Sequence, residues 1–340
     1  MQSSASERQR DQVQTALANI ATRVESNAAD AAWIVRLGGP KRGIDVTARL
    51  EDDLLLVDAP LPSQLAASQS SASQSSDWNH LEATGRFAGG VKLARVAGRN
   101  PLRLRAELSL AARSQPLAAL RALREGLLQA QTHCRTGALP PRILPADPAD
   151  GEFSTAGLAR LCEEAGWDFE PRRVGGVAEL EVGSRFEQAS LTPLANGSLL
   201  LRVELAACKG GQESSASAQA HCLMRAASFF RLVRPAAERN EDGQWQPRYE
   251  VSLTAGTHAA EIAEALAALS VACLYSAEEL RVLATNAGLA DRYLHHQHRQ
   301  PHRAAPAGDR AEAQHAALEG LEPPASLAAS ANSRRGTTHA

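Results

Sequence analysis

The sequence predicts an α+β protein built as two copies of an α-β-β-β-α-β-β-α domain with an antiparallel sheet, related by a pseudo-twofold. Three observations predict it. Short motifs recur in the same order in the two halves of the 340-residue chain. Runs that alternate apolar and polar residues lie between stretches with a helical apolar period. A segment with Pro140, Pro141, Pro145 and Pro148 separates the halves.

Each copy opens with a helix, over 10–26 and 154–166. In the first, Val13, Leu17, Ile20 and Val24 recur every three to four residues. In the second, Ser154 or Thr155 suits the N-cap. Three strands follow. Arg36-Leu37-Gly38-Gly39 matches Arg173-Val174-Gly175-Gly176, and the glycines mark turns. Ile44, Val46, Ala48 and Leu50 alternate with Asp45, Thr47 and Arg49. Leu180, Val182, Ser184 and Phe186 match that parity. Leu54-Leu55-Leu56 then matches Leu199-Leu200-Leu201.

Serine-rich segments interrupt both copies, at Gln64–Ser76 and Lys209–Ser217, and read as mobile loops. A short helix comes next, over 77–86 and 216–228. Two strands follow, over 90–96 and 102–110, then 229–235 and 247–253. Lys92-Leu93-Ala94-Arg95 matches Arg231-Leu232-Val233-Arg234, and Ala106–Leu110 matches Tyr249–Leu253. Gly98-Arg99-Asn100-Pro101 and Asn240-Glu241-Asp242-Gly243 are turn sequences. Helices over 115–133 and 258–274 close the copies, and 276–294 adds one more. The boundaries are therefore 10–136, a linker at 137–153, 154–294, and a polar tail at 295–340 expected to be disordered.

On the last hairpins, Leu102, Leu104, Ala106 and Leu108, with Tyr249, Val251 and Leu253, form an apolar side for each copy's own helices. Arg103, Arg105 and Glu107, with Arg248, Glu250 and Ser252, form the opposite side. The copies are expected to meet through strand edges or an open part of the sheet, as one compact particle.

Composition narrows function. Hydrophobic residues are 44% of the chain, aromatics 4%, and the net charge is -2. Near-neutrality argues against a general nucleic-acid binder. Lys41, Lys92 and Lys209 are the only lysines among 36 cations, which suits a GC-rich genome. The five cysteines form no paired motif, so a disulfide framework or structural zinc is not expected. MQSSASERQR lacks the apolar core of a secretory signal, and no uncharged run is long enough to span a membrane. A cytoplasmic protein with no membrane partner is expected.

Chemistry-bearing motifs are sparse. Gly38-Gly39-Pro40-Lys41-Arg42-Gly43 resembles a phosphate cradle only in composition; its spacing is that of a hairpin turn. His295, His296, His298 and His302 cluster, but Pro301 opposes a helix and acidic ligands are lacking nearby. His221-Cys222 and His133-Cys134 are adjacent in sequence, so their side chains diverge on a helix. Trp33 and Trp167 read as core. No catalytic, cofactor or metal residue is therefore assigned. Asp45, Arg49, Glu181 and Arg185 read as outward residues of equivalent strands. They are the candidate partner-binding set, against a plainer reading as cross-strand charge pairs.

Val91–Arg95, Leu102–Leu110 and the leucine-rich helix from Pro116 resemble the class I type III secretion chaperones and their YbjN-type relatives. That resemblance implies a small binding protein without catalytic residues or cofactors, here a dimer fused into one chain. It implies a protein or peptide partner, not nucleic acid, and a non-enzymatic, chaperone-like scaffold. The alternative is an enzyme with its site in the cleft between the copies.

Overall fold

The computed structural model describes residues 2–27, 32–39, 43–51, 53–60, 75–95, 102–110, 116–146, 151–208 and 213–299. The first half runs α1 (Gln2–Ile20), β1 (Arg23–Asn27), β2 (Ala32–Leu37), β3 (Ile44–Glu51) and β4 (Leu54–Pro60). It continues α2 (Ser75–Thr84), β5 (Lys92–Arg95), β6 (Leu102–Ser109) and α3 (Leu117–Thr136). The second runs α4 (Thr155–Glu164), β7 (Phe169–Pro171), β8 (Gly176–Val182), β9 (Arg185–Pro193) and β10 (Leu199–Glu204). It continues α5 (Glu213–Ala226), β11 (Arg234–Arg239), β12 (Trp245–Leu253), α6 (Ala259–Thr285) and α7 (Ala287–Arg299).

The protein is mixed α+β, with two antiparallel six-stranded sheets. Their strand orders are β1-β2-β3-β4-β6-β5 and β7-β8-β9-β10-β12-β11, identical strand for strand. Each half carries one more strand than expected, β1 or β7. Helix α1 stops at Ile20, and Val24 belongs to β1, opposite Val35.

The extra strands re-register part of the repeat. Residues 180–186 are not one strand. Gly183, at φ +63°, turns the chain, and Val182 pairs with Arg185 across that turn. So β9, not residues 180–186, corresponds to β3. The later match holds: Ala106–Ser109 and Tyr249–Ser252 occupy corresponding places in β6 and β12. Strand β11 begins only at Arg234, because residues 229–233 form the turn leading into it.

Other expectations fall differently. Glu213–Ser217 is helical, not loop, with Ser215 and Ser217 buried. Residues 64–74 and 209–212 lie outside the described residues, as do 300–340. Ser154 caps α4 as expected, its hydroxyl accepting from the Gly157 amide at 3.2 Å. Helix α6 is continuous past 274 to Thr285, and α7 reaches Arg299, inside the segment expected to be tail. The described part of the linker is strapped down. The Ala146 amide donates to Pro193 O (3.0 Å), and the Ala195 amide to Leu144 O (2.9 Å).

Each sheet buries one face under its own helices. Val13, Leu17 and Ile20 of α1 and Leu120, Leu123 and Leu127 of α3 pack against a core that includes Val35, Val46, Leu55 and Leu104. In the second half, Leu180, Leu191, Leu201 and Val251 meet Ile262, Leu266 and Leu269 of α6. Burying each such side chain contributes about 1.5–3 kcal/mol. By length and composition α6 passes for a membrane span. Here it packs on β8, β10, β12 and three helices, and the Tyr249 hydroxyl lies 2.7 Å from Ser276 Oγ.

The opposite faces bring the halves together. Helix α2 packs on β11, α5 packs on β5, and α2 packs on α5. Because α2 and α5 correspond, as do β5 and β11, the contact is reciprocal, as a twofold arrangement requires.

Candidate functional site

The junction is built on Glu107 and Glu250, corresponding residues whose side chains are at most 2% exposed. Lys92 Nζ meets Glu107 at 2.8 Å. It also donates across the junction to Phe230 O (2.6 Å) and Val233 O (3.1 Å). Arg234 meets Glu250 at 3.1 Å and donates across the junction to Phe87 O at 2.6 Å. A second arginine flanks each carboxylate: Arg105 at 2.9 Å from Glu107, Arg248 at 2.6 Å from Glu250. Arg105 donates to Ser228 O (2.8 Å), while Arg248 lies beside Gly85.

Each half thus holds a buried carboxylate between two cations, and each cation set satisfies carbonyls of the other half. Burial lowers the pKa of Lys92 and of Arg234, and the facing carboxylate opposes that shift. Trp78 of α2 stacks on Trp245 of β12, with centroids 5.5 Å apart and planes 7° from parallel. The Arg239 guanidinium covers the Trp245 ring at 4.4 Å.

A cavity of about 250 Å³ opens at the same junction. Arg86, Arg142, Arg202 and Arg248 line it together with Glu82 and Glu238. These charges answer one another: Arg86 pairs with Glu82, and both Arg142 and Arg248 pair with Glu238. Burial raises the carboxyl of Glu238, but its hydrogen bond and charge attraction to Arg248, with Arg142 and Arg202 nearby, hold the net pKa below the usual value.

The open surface differs between the halves. Helix α3 exposes Arg121, Glu125, Thr132 and Arg135. The corresponding α6 exposes Val271 (48%), Leu274 (53%) and Tyr275 (58%) on one side. Leu274 lies next to the β8–β9 turn at Gly183, and Arg185 reaches across to Glu278 of α6 at 3.7 Å.

Asp45 and Arg49 are both on the outward face of β3. Asp45 pairs with Arg36 at 2.5 Å, and Arg49 lies 3.7 Å from Asp58. Glu181 and Arg185 do not share a face. Glu181 is outward, opposite Phe186, while Arg185 points to the helix side because a turn separates them. Of the four candidates, only Arg185 adjoins the apolar stripe of α6.

The remaining candidates are placed as follows. Of the Gly38–Gly43 cradle, 40–42 lie outside the described residues, and Gln131 donates to Gly43 O at 3.2 Å. His295, His296 and His298 fall in α7, and His302 lies outside. No group of three metal-ligating side chains occurs among the described residues. His221 meets the Tyr293 hydroxyl at 3.2 Å. Burial pushes the thiols of Cys162 and Cys208 up to about 11 and those of Cys134, Cys222 and Cys273 up to about 12, away from thiolate chemistry.

One pair escaped the sequence reading. His80 Nδ1 and His133 Nε2 stand 3.1 Å apart, both buried, and His133 Nδ1 meets Ala138 O at 3.0 Å. Burial lowers His80 to about 4 and also lowers His133. Two histidines so far apart in sequence carry no spacing signal.

No family model matches the chain, and no curated protein matches it significantly.

Proposed function

We propose that this chain is a non-enzymatic protein-binding scaffold that docks another polypeptide along the outward stripe of α6. One observation carries the reading: the same helix in the two copies is polar in the first and apolar in the second. An exposed apolar strip on one copy alone marks a surface for a partner. The reading agrees with the secretion-chaperone resemblance, with a cytoplasmic setting, and with a partner that is protein rather than nucleic acid or membrane. It requires no metal or cofactor.

The junction cavity favours a second reading, an enzyme acting in the cleft between the copies. Its arginines face carboxylates of the same chain, and that internal matching supports the scaffold reading over it.

A photo-crosslinking residue at position 275 tests the proposal, with position 121 of α3 as the internal control. Position 275 is expected to capture a discrete polypeptide in the native host, at a yield well above position 121. Equal yields at the two positions would remove the reading.

A further inference from the structure

We infer that the partner on α6 is a second copy of this chain, bound with the two α6 helices antiparallel. This rests on reading the stripe as a protein-docking surface.

The charges around the stripe point to the occupant. Val271 and Leu274 lie at its centre, with Tyr275 beside them. Along the row through Val271 and Leu274, the exposed residues toward the N-terminal end are Glu264 and Ala267 and those toward the C-terminal end are Glu278 and Arg281; Glu279 is exposed beside the row, next to Tyr275. Glu264 precedes Val271 by two helical turns, and Arg281 follows Leu274 by the same distance. Reversing the helix about that centre therefore places Glu264 of one copy opposite Arg281 of the other. Val271 then faces Leu274, and Ala267 faces Glu278 where room is needed. Glu278 holds Arg281 in place through two contacts, at 2.9 and 2.5 Å. A parallel copy would set like charges against each other, Glu264 on Glu264 and Arg281 on Arg281, so the stripe is complementary to itself only in the antiparallel sense.

The contact is isologous, so it closes as a dimer and leaves no free end. The first half cannot form it, because α3 presents Gln129 and Thr132, flanked by Glu125 and Arg135, where α6 presents Val271 and Leu274. The fused pair thus has one self-associating side.

Sedimentation of the full chain over roughly 1–100 μM tests the inference. The expected result is a reversible dimer. Leu274→Glu should make the chain monomeric across that range while its circular dichroism stays unchanged and its melting matches that of the parent at dilutions where the parent is monomeric, since Leu274 is a surface residue. Glu264→Arg should weaken the dimer about tenfold, a change of roughly 1.4 kcal/mol, by breaking two symmetry-related pairs. The double variant Glu264→Arg/Arg281→Glu should restore it.

A chain that stays monomeric at 100 μM overturns the inference. So does a double variant no tighter than the single one. If the chain is monomeric while position 275 still captures a different polypeptide, the self-pairing fails and the scaffold reading stands. If neither occurs, both fail.

Discussion

Gly89 and Leu232 share a left-handed φ of +62°, at corresponding points of the two turns that lead into β5 and β11. Each follows a phenylalanine, Phe87 or Phe230, whose carbonyl accepts from the buried cation of the other half. The left-handed conformation costs a non-glycine residue roughly 1 kcal/mol or more. The Leu232 amide recovers part of that by donating to Glu107 at 2.6 Å across the junction. At Gly89 there is no such latitude. A Cβ there would sit 2.3 Å from the Leu123 amide nitrogen of α3.

The two positions should therefore respond oppositely. Gly89→Ala should destabilise the protein by roughly 3 kcal/mol, because both conformation and space forbid a side chain. Leu232→Gly should lie within about 1 kcal/mol of the parent, relief of strain offsetting the entropy of a new glycine. Chemical denaturation of both variants measures this. Equal losses would contradict the correspondence.

Glu250→Ala should cost about 3–5 kcal/mol, since it leaves Arg234 and Arg248 buried beside an empty place. The double variant Arg234→Met/Glu250→Leu should recover part of the loss. The near-ultraviolet dichroism of the Trp78–Trp245 stack is the local probe: it should fade in Glu250→Ala and return in the double variant. A Glu250→Ala protein with parental stability and spectrum would show that the ion pair is incidental.

Acid should weaken the fold before the carboxylates titrate. The groups facing His80 are Asp77, Arg95 and His133, and Glu82 faces His133. Burial depresses His80 to about 4 from its ordinary 6.5. Below about pH 6.5 the unfolded chain takes up a proton that the folded chain resists, so stability falls as pH drops from about 6.5 toward 4. The loss from His80 is roughly 2–3 kcal/mol, and His133 acts in the same direction. His80→Leu should flatten the pH dependence of the melting temperature in this window. An unchanged slope would place the acid sensitivity elsewhere.

Much of the architecture is legible in the sequence, because alternation and apolar period are local signals. The match of Ala106–Leu110 to Tyr249–Leu253 reads true: the two segments are corresponding strands. The turn at Gly183-Ser184 hides because Phe186, outward and 68% exposed, keeps the apolar–polar alternation going in the sequence, although the two-residue loop reverses its faces. That is why Glu181 and Arg185 look like neighbours on one face.

The polar side of the last hairpins is legible, but its fate is not. Glu107 and Glu250 pattern as solvent-facing residues. They are buried because Lys92, Arg105, Arg234 and Arg248 converge on them from other strand positions, which no local pattern reveals. The apolar stripe of α6 hides for a related reason: a helix apolar on nearly all sides does not show which side stays uncovered.

Hydrogen exchange of Glu250→Ala tests most directly whether the reciprocal ion clusters make the two halves one energetic unit. The substitution lies in the second half. If the clusters couple the halves, protection should fall in Ser75–Thr84 and Lys92–Arg95 of the first half by as much as in Arg234–Arg239. A loss confined to residues 151–299 would contradict the account.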